Sequence, residues 1–85
     1  MVQNILNKLS EYEVVSVAVN DEFCNCSYTV NVDDYEVVGN DLFFGNEDQE
    51  ICIKGIDQYE ISEYMNDYLI VSDDKKKQVS LCFIR

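Results

Sequence analysis

The sequence predicts a mostly β domain of the α+β kind: one short N-terminal helix, then an antiparallel meander of five to seven strands forming a small barrel or a curved sheet. Three observations predict it. A helical stripe lies at the start, where Val2, Ile5, Leu6 and Leu9 recur at i, i+3, i+4 and i+7 among polar Gln3, Asn4, Asn7 and Lys8. Beyond it, eleven Val and seven Ile against a single Ala, with six Tyr and four Phe, favour the pleated, half-buried surface of strands. Apolar alternation is also interrupted at short intervals by turn residues, with no Pro and no linker that would divide the chain.

Each element follows from local pattern. Tyr12 to Val19 is the first strand, with Glu13, Val15, Val17 and Val19 on one face and Tyr12, Val14, Ser16 and Ala18 on the other; Asn20, Asp21 and Glu22 close it with turn chemistry. Phe23 to Asp33 alternates Cys24, Cys26, Tyr28, Val30 and Val32 against Asn25, Ser27, Thr29, Asn31 and Asp33, which puts one face on the core and the other toward water or a partner. Tyr35 to Val38 and Leu42 to Phe44 flank Gly39-Asn40-Asp41, a hairpin signature with a tight turn at Gly39. Three consecutive large apolar residues, Leu42, Phe43 and Phe44, predict that one of them faces away from the core. Gly45 to Gln49 is the next turn, after which Ile51 and Ile53 alternate with Glu50, Cys52 and Lys54, and Gly55 bends or bulges that strand. Tyr59 to Tyr64 fits no single class, Tyr68 to Val71 is a strand, and Asp73 to Gln78 leads to a last strand in which Val79, Leu81 and Phe83 alternate with Ser80, Cys82 and Ile84.

The chain, residues 1–85, is expected to be a single domain with a radius of gyration of about 12 Å. Leu, Ile, Val and Phe number 27 of 85, well above the fraction of about a fifth below which highly charged chains stay disordered. The acids therefore sit on a folded body. All 17 lie between Glu11 and Asp74, a stretch whose one basic residue is Lys54, so it carries a formal charge of -16 within a chain of -11. Such a surface repels nucleic acid and anionic lipid and selects basic partners. No run reaches the eighteen or so apolar residues of a membrane span and no signal-peptide order is present, so the expected location is the cytoplasm and no membrane partner is expected. On that basis Cys24, Cys26, Cys52 and Cys82 are expected to be free, mostly buried thiols.

The helix-then-strands order resembles that of Sm-like small barrels, and Ile53-Lys54-Gly55 with Ile61 resembles their second motif. The tripeptide lies too early for that fold and the acidic balance is unlike an RNA binder, so no family is assigned. The absence of His removes the commonest general base and the Ser-His and Cys-His pairs, and no Gly-rich phosphate loop is present. With 17 acids, paired carboxylates lose their specificity as a catalytic sign. Cys24-Asn25-Cys26 has one residue between its thiols and no second pair, which is poor zinc spacing. Asn46, Asp48 and Glu50 resemble the start of an EF-hand loop, but Ile51 and Asp57 stand where its glycine and bidentate glutamate belong, leaving at most weak calcium binding there or at Asp33 and Asp34. Lys75, Lys76 and Lys77 read as a solvated loop. The six tyrosines, five of them next to an acid, divide between core packing and contact with an Arg-rich surface.

The function expected is therefore that of a non-enzymatic acidic binding protein without cofactor or metal. It would occupy the basic nucleic-acid-binding groove of a partner, a nuclease or another nucleic-acid-binding protein, as anti-defence and nuclease-immunity proteins do, without touching nucleic acid itself. The expected partner-binding residues are Asp33, Asp34, Glu36, Asp41, Glu47, Asp48 and Glu50, which cluster around two predicted turns. The alternative is a homo-oligomeric structural or adaptor module whose acidic surface confers solubility.

Overall fold

The helical stripe becomes α1, Val2–Glu11, with Ile5 and Leu9 fully buried and Val2 and Leu6 packed at the margin of the same core. In the computed structural model, which describes residues 2–84, α1 is followed by eight strands: β1 (Val14–Asn20), β2 (Asn25–Asn31), β3 (Asp34–Val38), β4 (Asp41–Gly45), β5 (Glu50–Ile53), β6 (Glu60–Tyr64), β7 (Asp67–Val71) and β8 (Gln78–Ile84). A short 3-10 turn, Ile56–Gln58, joins β5 to β6. The count exceeds the expected five to seven because Glu60–Tyr64, which alternates only weakly in sequence, gains strand structure by pairing with β7.

All pairs are antiparallel, and they form two sheets: five strands in the order β2-β1-β8-β7-β6 and three in the order β3-β4-β5. Neither sheet closes into a barrel. The C-terminal strand enters the larger sheet between β1 and β7, so that a row such as Tyr28, Val17, Leu81 and Tyr68 crosses four strands on the core face. Leu42, Phe44 and Ile53 of the small sheet meet this face and α1 in one shared core, with Ile56 from the 3-10 turn. Phe83 joins its aromatic rings, 5.7 Å from Tyr12 and edge-on to Tyr68 at 6.0 Å. The Cα radius of gyration is 11.9 Å, and no helix among the described residues is long and apolar enough to cross a membrane.

The cysteines depart from expectation: all four are free but exposed. Cys52 and Cys82 alternate with the buried residues of β5 and β8 and so point outward. Along β2 burial fades from Val30, fully buried, through half-buried Tyr28 to exposed Cys26, because the covered part of this edge strand ends before its first residues.

Candidate functional site

The chain crosses from the large sheet to the small one within three residues. Val32 N–H donates to the Glu13 carbonyl at 2.8 Å, still on the β1–β2 ladder, whereas Asp33 N–H already donates to the Gly45 carbonyl at 2.9 Å. Asp34 also stands opposite Gly45, so Asp33 and Asp34 share one partner residue in the manner of a β-bulge. Asn46 ties the corner together: its Nδ2 donates to the Asn31 carbonyl at 2.8 Å while its Oδ1 accepts from the amides of Asp48 at 2.9 Å and Gln49 at 3.0 Å. These bonds hold Glu47 and Asp48 at the rim, on a turn fixed by a side chain rather than by chance.

Strand alternation builds the rest. Leu42 and Phe44 point into the core, so Phe43 points out, half-buried, between Glu36 on β3 and Cys52 on β5; the neighbouring row is Asp34, Gly45 and Glu50. An open cleft of about 1060 Å³ occupies this corner. Asp33, Asp34, Glu36, Glu47, Asp48 and Glu50 line it, joined by Glu13 from just before β1, with Phe43 as the aromatic ring on its face. The lining has seven acidic residues and no Lys or Arg. Dense carboxylates around a half-buried aromatic ring suit a guanidinium or ammonium group, which pairs with the former and stacks on the latter.

Six of the seven residues expected from sequence thus come together. The seventh, Asp41, lies at the opposite end of β4, where its Oδ1 accepts the Gly55 amide at 2.9 Å and clamps the β3–β4 hairpin to the chain leaving β5. Glu13 and Phe43 escaped the sequence reading. Glu13 reaches the corner only because Val32 pairs with it, a contact with no local signal, whereas the Leu42-Phe43-Phe44 run did announce one outward ring without identifying it.

Among the described residues no group of three or more His, Cys, Asp or Glu is placed to hold a metal ion. The Asn46 side chain, the first oxygen of the EF-hand-like run, is committed to three backbone bonds. The cysteines do not converge: Cys24 and Cys26 lie at one end of β2, Cys52 on the cleft face of the small sheet, and Cys82 beside Asp67 on the outer face of the large one. The charge of Asp21 pushes the Cys24 thiol up, and a hydrogen bond with Asp67 does the same for Cys82, so both are biased away from the nucleophilic thiolate. Comparison with known proteins finds no matching family, no matching curated protein and no matching solved structure.

Proposed function

We propose that this protein is a non-enzymatic acidic binding protein that occupies the basic, nucleic-acid-binding surface of a partner protein. The observation that carries the reading is the corner cleft, which gathers seven acidic residues around Phe43 with no compensating cation in its lining. Its acids sit on strands and on a turn locked by Asn46, so a partner meets them already arranged and little ordering entropy opposes binding. Duplex DNA offers one negative charge per about 1.7 Å of axis, and a rigid acidic corner competes for the same Lys and Arg side chains.

The test is a pull-down from a lysate with the immobilised protein, eluted in steps of salt. The expected result is a nuclease or another nucleic-acid-binding protein leaving at intermediate salt, and its absence when the bait carries Asp33→Lys, Asp34→Lys and Glu36→Lys. Capture of the same partner at the same salt by the charge-reversed bait would overturn the reading.

One observation favours a second reading, the self-associating adaptor. On β2, β1 and β8 the outer face of the large sheet presents Ser27, Thr29, Ser16, Ala18, Ser80 and Cys82, an uncharged patch on which two such acidic molecules could meet. A concentration-independent monomer in light scattering dismisses it.

A further inference from the structure

β3 is the outer strand of the small sheet, paired with β4 on one side only. The Tyr35 amide donates to its neighbour Asp34 Oδ1 at 2.9 Å instead of to β4. That amide therefore points away from β4, to the side without a paired strand, and the alternation of an antiparallel ladder turns the Val37 amide the same way; α1 also comes near β3. All five residues of β3 are exposed, Tyr35, Val37 and Val38 among them. Edge strands are ordinarily shielded by Lys, Pro or a bulge. Here Asp34–Val38 contains neither residue, and the bulge lies at its first residue, leaving Tyr35 to Val38 regular.

The two faces of this edge differ in chemistry. Asp34 and Glu36 lie on the face with Phe43, while Tyr35 and Val37 lie on the opposite face with Leu42 and Phe44. A strand added beside β3 would place successive residues alternately against carboxylates and against apolar side chains. A second copy of β3 does not fit, since self-pairing sets Asp34 and Glu36 of one copy near those of the other. We infer that the open edge of β3 takes up an extended segment of the partner, with Lys or Arg at alternate positions and apolar residues between them, as a fourth strand of the small sheet. This rests on the acidic-cleft reading and specifies how the partner is held: main-chain bonds supply affinity and the carboxylates select charge.

The probe is a fluorescein-labelled Lys-Val-Lys-Val-Lys-Val-Lys peptide, followed by anisotropy at about 0.05 M and 0.3 M salt. The expected result is saturable binding that weakens at least about tenfold when every second amide of the peptide is N-methylated in one of the two phases, because bonds to β3 are lost. Val37→Pro, which deletes an outward amide of the protein, should act alike, and the methylated peptides give the answer even where that variant folds poorly. Asp34→Asn with Glu36→Gln should weaken binding and flatten its salt dependence. If neither methylated peptide loses affinity while the charge variant does, the added-strand inference fails and the acidic cleft stands. Binding indifferent to both salt and the charge variant, or no binding at all, overturns both. Dimerisation that Val37→Pro abolishes would give the edge to a second copy and overturn the inference.

Discussion

Tyr68, the second residue of β7, is 1% exposed, and its hydroxyl donates to Glu63 Oε2 across the β6–β7 ladder. Burial first, and that hydrogen bond second, push its pKa up to about 12. Because the folded value lies above the ordinary value of about 10, the stabilisation is complete below pH 10 and is lost as pH rises through the folded value. Alkaline titration followed by tyrosine absorbance should therefore show a component near pH 12 from Tyr68 together with loss of the fold, and Tyr68→Phe should remove that component; burial raises Tyr28 as well. A titration with no component near pH 12 that Tyr68→Phe removes would refute this. Asp21 and Asp74 show the opposite sign: amides of Phe23 and Cys24 on Asp21, and the Ser72 hydroxyl and the Lys76 amide on Asp74, hold these carboxyls below the ordinary range. Their contribution is present above that range and fades as pH falls through the depressed values. Sequence could pair five of the six tyrosines with an adjacent acid but could not sort them. Tyr12 and Tyr68 went to the core, while Tyr35 and Tyr64 stayed exposed, because burial depends on which strand face is covered.

Among the elements, the β4–β5 connection sets the shape of the cleft. Gly45 is buried with φ +146, and a Cβ there would meet the Gln49 carbonyl oxygen at 2.2 Å and Glu50 Cα at 2.9 Å, both backbone atoms that cannot swing aside. Gly45→Ala should cost about 2–3 kcal/mol and lower Tm by roughly 10–20 °C in thermal unfolding, with loss of Glu47 and Asp48 from the rim. An unchanged Tm would mean that the turn has another low-energy form. The Gly39-Asn40 hairpin was legible in sequence because two residues suffice to specify it: Gly39 has φ +63 and Val38 pairs with Asp41 across it. The bulge at Asp33 and Asp34 was not legible, since both residues lie at the end of an uninterrupted alternation and only the Gly45 carbonyl, eleven or more residues away, reveals it. Gly55 does not bulge its strand but ends the connection from β5 and precedes the 3-10 turn.

For the molecule as a whole, the -11 charge opposes folding into a body with a Cα radius of gyration of 11.9 Å. Raising salt from about 0.02 M to 0.5 M should therefore raise Tm by a few degrees, as screening relieves repulsion among the acids; a fall would mean that attractive pairs dominate the surface. The same salt that stabilises the protein should release its partner, which separates self-repulsion from recognition. The sequence by itself determined the helix at Val2 to Leu9, the strand-forming body, most turns and the concentration of acid between Glu11 and Asp74, because each is written in the residue types of a short window. Only the tertiary structure decided that β8 lies between β1 and β7, that the strands divide into two sheets, and that Glu13 joins Asp33, Asp34 and the Asn46 turn while Asp41 is carried to the far end of its strand. Those outcomes rest on pairings between residues far apart in the chain, whose register is set by the burial of a common core and by no local pattern.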